Sequence, residues 1–119
     1  MLGRTSLTLS KSSLFAAIIL AIMFNGLYKK EAYALTADDV LNKMNTDQQA
    51  GYFSGFVDGL AQARWIKDKP DQAGMNCIYN WYYKGGKPQQ RRIQTWLGKH
   101  LNRQANGLLY VLIKRDCGE

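Results

Sequence analysis

Histidine is nearly absent from this sequence: His100 is the only one among 119 residues. A zinc site would have to be assembled from carboxylates, and a nucleophile would have a single imidazole to activate it. Beyond residue 34 serine is just as scarce, with Ser54 alone, 46 positions from His100 and outside any G-x-S-x-G frame. The acids of the same stretch are Asp38, Asp39, Asp47, Asp58, Asp68, Asp71, Asp116 and Glu119. None stands by a histidine or a second acid at a spacing suited to proton transfer. No catalytic, metal or nucleotide motif is present, so the expected protein is not an enzyme and carries no cofactor or metal. His100, seven residues after Ile93, suits a half-buried packing role.

Long apolar runs are missing too. The run over residues 14–24 has 11 members, whereas a spanning helix needs roughly 20. Arg4 and Lys11 precede its apolar stretch without any acid, and the polar Lys29-Lys30-Glu31 follows. Ala32-Tyr33-Ala34 then offers small residues at the two positions a signal peptidase reads. This order predicts a secretory signal, residues 1–34, cleaved after Ala34. Residues 35–119 are then a single exported domain, periplasmic or secreted, with no stable membrane span. Removing the signal lowers the net charge from +7 to +4, with 12 basic and 8 acidic residues left. That excess suits an acidic partner and plain solubility alike. The basic residues read as scattered rather than aligned, and an exported domain rarely meets nucleic acid, so nucleic acid is not an expected partner.

Cysteine is limited to Cys77 and Cys117, 40 positions apart. With no CxxC spacing and one histidine to recruit, a metal or redox pair is disfavoured, and in an oxidising compartment the two predict a structural disulfide. Closing a loop of that length stabilises by roughly 4 kcal/mol on chain entropy. So small a core benefits from such a staple.

What is present is helical periodicity. Thr36 and Asp39 have the form of a capping pair before Val40, Leu41 and Met44. Thr46 and Gln49 repeat the pattern ahead of Phe53, Phe56, Val57, Leu60 and Arg64, the best amphipathic face in the chain. Gly51, Gly55 and Gly59 share one stripe of this helix. Three glycines in register each cost up to about 1 kcal/mol against alanine, so they predict close helix packing, either within the domain or in a homodimer or partner groove. Residues 67–76, with Pro70 and Gly74, read as a surface loop and a contact element containing Asp71. Cys77, Ile78, Trp81 and Tyr82 share a face of a short helix ending at Gly85-Gly86. Pro88 opens the next, with Ile93, Trp96, Leu97, His100 and Leu101 on one side. The apolar run 108–113 fits a strand or a buried helix; Asn106 as a cap and Lys114-Arg115 at the far end favour helix. The expected fold is all-α, a small bundle of about four helices closed by one disulfide.

The densest interaction-like cluster is Tyr79, Trp81, Tyr82, Tyr83 and Trp96 among Lys84, Lys87, Arg91 and Arg92. Aromatics and arginines are typical interface anchors, but a small core also needs filling. Tyr82 and Tyr83 are the aromatics expected to face outward. The candidate partner-binding residues are Tyr82, Tyr83, Lys87, Arg91, Arg92 and Asp71. Asp58, flanking the apolar face of its helix, would need Arg64, Lys67 or a backbone donor if buried.

The order of a signal, a helix bearing Gly-Tyr-Phe-Ser-Gly-Phe-Val-Asp-Gly (51–59), a loop, Cys77, a helix with Trp96-Leu97 and a last helix ending at Cys117 resembles the small periplasmic immunity proteins of the Tai type. That resemblance covers most of residues 50–117. It implies an all-helical, disulfide-bonded protein, often dimeric, that occludes the active site of a type VI secretion amidase. Ile78 after Cys77 and Asp116 before Cys117 depart from the family, which tends to place proline there. The arrangement is also similar, more distantly, to the periplasmic acid-stress chaperones of the HdeA type, which implies acid-triggered dissociation of a dimer. Eight acids and one histidine leave such a switch little to titrate. The expected function is therefore an exported, non-enzymatic, inhibitor-like binding protein with a protein partner.

Overall fold

Thr36 opens the first helical segment as a reciprocal cap. Its hydroxyl accepts from the Asp39 N–H at 3.1 Å, and the Asp39 carboxylate accepts from the Thr36 N–H at 2.9 Å. The computed structural model describes residues 33–119, together with Ile18. The expected signal thus lies, apart from Ile18, Tyr33 and Ala34, outside the described residues. Residues Ala34–Glu119 form one compact unit. The short cap leads into a π-helical segment, α1 (Asp39–Lys43), whose Val40 is fully buried.

The long helix α2 (Thr46–Asp68) starts one residue earlier than the Thr46/Gln49 pattern suggests. Asn45 is the cap: its side chain accepts from the Gln48 N–H at 2.9 Å, and Gln48 returns the bond to the Asn45 N–H at 3.0 Å. Thr46 is already helical, and Gln49 instead donates to the Leu41 and Met44 carbonyls, tying α1 to α2. Phe53, Val57 and Ala61 are the buried residues of α2. The helix continues through Lys67 and Asp68, so the expected loop 67–76 shrinks to residues 69–72. Its bonds are short-range, with the Asp71 N–H donating to Asp68 O at 2.9 Å.

Helix α3 (Ala73–Tyr83) packs along α2, and Gly74 lets the two approach. A methyl group there would stand 2.5 Å from Arg64 Nε. Gly85 is equally constrained, because its methyl would meet the Trp81 carbonyl at 2.6 Å, and Gly86 adopts φ +61°. Helix α4 (Gly86–Gly98) therefore begins two residues before Pro88, which occupies the first turn, where a missing N–H is harmless. His100 and Leu101 lie just past its end rather than within it.

The ambiguous run 108–113 is helical, part of α5 (Ala105–Cys117). Leu108, Leu109, Leu112 and Ile113 point into the core, while Tyr110 and Val111 face solvent. The run is thus an amphipathic helix rather than a two-sided strand. Gln104, not Asn106, precedes the first turn. Backbone bonds from Ala37 to Arg103, Asp38 to Leu101 and Ala105 to Leu35 stitch the start of the unit to the α4–α5 turn.

The fold is a small all-α bundle among the described residues, closed by the disulfide Cys77–Cys117 with Cα atoms 5.7 Å apart. One buried cluster joins Val40, Phe53, Ile93, Leu97 and Leu109; a second joins Val57, Ala61, Ile78 and Ile113. Phe56, Trp81 and Tyr82 pack against both. No polar or charged residue is buried among the described residues, so the core itself holds no desolvated acid or base.

Candidate functional site

The residues expected to make one binding patch are distributed over three places. Tyr83, 54% exposed, donates its hydroxyl to Asp58 on α2 at 2.8 Å. That hydrogen bond holds the Tyr83 phenol above its usual pKa. Tyr82 meets Tyr83 edge-on at 5.0 Å but is half-buried against both core clusters. Burial first, and the Asp58 charge second, raise its phenol. Asp71 is a capping residue, accepting from the Ala73 N–H at 2.9 Å, and Lys87 is exposed in the first turn of α4.

Arg91 and Arg92 lie elsewhere, over the seam of α4 and α5. Arg92 forms a bidentate ion pair with Asp116, one arm at 3.2 Å, and Asp116 also accepts from the Trp81 indole at 2.8 Å. Arg92 chiefly, with Trp81 contributing, holds the Asp116 carboxyl below its usual range. This three-way contact locks α3, α4 and the end of α5 beside the disulfide.

Next to that lock, α4 presents Arg91 and Thr95 at i and i+4, and Lys99, the C-cap just past its end, follows at i+8. They line an open groove of about 500 Å³ whose remaining surface comes from Pro88, Arg92, Trp96, Leu112 and Arg115. The Trp96 indole donates to the Leu108 carbonyl at 3.1 Å, which fixes the ring. His100 contacts it edge-on at 4.4 Å, and the Arg115 guanidinium lies 5.8 Å from its centroid. Among the described residues neither Arg91 nor Lys99 has a carboxylate partner.

Four of the basic residues, Arg91, Arg92, Lys99 and Arg115, thus share one groove, while Lys43, Arg64, Lys67 and Lys114 lie elsewhere. A signal for this stands in the sequence: residues 72–115 contain Lys84, Lys87, Arg91, Arg92, Lys99, Arg103, Lys114 and Arg115 and not one acid. Net charge averaged over the whole domain hides it, and Lys99 and Arg115 escape any window centred on the tyrosines.

The glycine stripe packs on no other described residue of this chain. A methyl at Gly51, Gly55 or Gly59 would have no atom within 4 Å beyond its own helix surroundings. Two residues of α-helix turn about 200°, so a stripe offset by two from Phe53 and Val57 faces away from the core. A smaller cavity of about 220 Å³ separates α2, α3 and α5, with Leu60, Ile78 and Ile113 in its lining and the Lys114–Glu119 ion pair at its rim. No group of three or more His, Cys, Asp or Glu side chains could hold a metal among the described residues, and none of their helices is long and apolar enough to cross a membrane. Comparison with family models, curated proteins and solved structures found no match to the chain.

Proposed function

We propose that the domain is an exported, non-enzymatic binding module that occupies a protein partner, in the manner of an inhibitor or immunity protein. The observation that carries this reading is the α4–α5 groove, where Arg91 and Lys99, without a carboxylate partner among the described residues, share a lining with a tryptophan fixed by its own hydrogen bond. A rigid aromatic set among charges is the composition of an interface anchor. The disulfide, which persists where thiols are oxidised, and the signal-like order of residues 1–34 support export.

Acid-triggered release is the weaker reading. Asp39 is held down to about 2, first by Lys43 and then by Thr36, and Asp116 and Glu119 are lowered by Arg92 and Lys114. Asp39 therefore keeps its charge in mild acid. The test is capture from a periplasmic extract with the oxidised domain as bait. A saturable complex of fixed stoichiometry supports the reading, whereas many aggregated clients gathered only after acid shock sink it.

A further inference from the structure

We propose that the α4–α5 groove grips an acidic protein segment presenting two carboxylates about 12 Å apart, with an apolar side chain between them seated against Trp96. This rests on the protein-binding reading above and names the chemistry of its partner.

The spacing comes from α4. Arg91 and the C-cap Lys99 are eight residues apart, and a rise of 1.5 Å per residue sets their backbones about 12 Å apart along the axis. Neither is neutralised by a carboxylate of the described chain. Arg92, by contrast, is already committed to Asp116, so it shapes the groove wall rather than waiting for a ligand. The apolar Trp96 and Leu112 line the same groove as the two cations. The indole cannot swing away without breaking its bond to the Leu108 carbonyl.

Charge asymmetry points the same way. The stretch 72–115 holds eight bases and no acid, and although Asp116 and Glu119 neutralise Arg92 and Lys114, the groove keeps the positive charge of Arg91, Lys99 and Arg115. An acidic segment relieves that repulsion and is steered toward it. A nucleic acid would be better served by more cations following a backbone over a longer track. A flat anionic membrane would engage the exposed Arg91 and Lys99 without needing the half-buried Trp96. Both are outcomes of the test rather than parts of the proposal.

The measurement is fluorescence anisotropy with a labelled helical peptide of about three turns, carrying two glutamates about 12 Å apart on one face and a phenylalanine midway. The oxidised domain is titrated at low and physiological salt. Controls are the same peptide with glutamine for glutamate, a labelled single-stranded oligonucleotide, and vesicles containing anionic lipid. The expected result is saturable binding of the glutamate peptide, weakened about tenfold by R91E/K99E and by glutamine in the peptide. The charge-matched variant K67E/K84E, whose lysines lie outside the groove, leaves it within about twofold. R91Q/K99Q gives the same direction of effect if charge reversal perturbs the fold, which unfolding midpoints would reveal.

Equal loss in K67E/K84E, indifference to glutamine, or tighter binding of oligonucleotide or vesicles overturns the proposal. Failure of the two readings is distinguishable. A partner captured equally by R91E/K99E overturns the acidic-groove proposal while the binding module stands. Groove-dependent peptide binding without any captured partner upholds the groove chemistry and removes the inhibitor reading.

Discussion

Asp116 ties three helices together. Its carboxylate accepts from Trp81 on α3 and from Arg92 on α4 while its own backbone adjoins Cys117. Because Arg92 lowers its pKa, its contribution is complete above the usual carboxylate range and is lost as the pH falls through the depressed folded value. Asp116→Asn should therefore cost about 1 kcal/mol at pH 7, a figure discounted for the partial exposure of the pair. Urea unfolding at neutral pH and in strong acid checks this, since the gap between variant and wild type should close as Asp116 protonates. An unchanged gap would mean that the lock acts through packing alone. Nothing near Cys117 in the sequence advertised this role; the residues it joins stand 24 and 35 positions away, and only the crossing of three helices brings them together.

At the scale of elements, the α2 face and the α3–α4 junction make opposite predictions for the same chemical change. Gly55→Ala meets open space on an exposed helix and should raise stability by about 0.5 to 1 kcal/mol. Gly85→Ala drives a methyl into the Trp81 carbonyl and should lower it by 1 kcal/mol or more, to about 3. Denaturant midpoints separate the two. A destabilised Gly55→Ala, or one whose mass in solution drops by half, would reveal a second copy seated on the stripe. The helices themselves were legible: Phe53, Val57, Ile93 and Leu97 keep their apolar period and are buried in the structure. Boundaries were less so. Asn45 and Thr46 are both competent caps one residue apart, and local sequence does not say which takes the extended backbone that a cap requires. Glycine spacing showed which residues share a stripe but not which way it faces; the neighbouring Phe53 and Val57 answer that, since they bury the opposite side.

For the molecule as a whole, the disulfide and the charge distribution matter most. Cys77Ala/Cys117Ala should lose roughly 4 kcal/mol, because the bridge closes a loop spanning 40 positions. Urea unfolding of oxidised and cysteine-free domains measures it directly, and a loss below about 1 kcal/mol would show that core packing alone holds α3 to α5. The bridge was readable because the sequence holds two cysteines and a single histidine, too few ligands for a metal site and no CxxC spacing for a redox pair. The groove was only half readable: Arg91 and Arg92 stood out beside the tyrosines, but Lys99 and Arg115 join them only once α4 and α5 pack side by side around Trp96. Tyr83, conspicuous in the sequence, is instead tied to Asp58 on α2.

The measurement that tests the central claim most directly is therefore partner capture by paired variants of the oxidised domain, with folding verified by unfolding midpoints. The account predicts that R91E/K99E loses the captured protein, while Tyr83→Phe, which alters only the α2–α3 surface, retains it as wild type does. Retention by R91E/K99E together with loss by Tyr83→Phe would contradict it and move the binding surface to the tyrosine side.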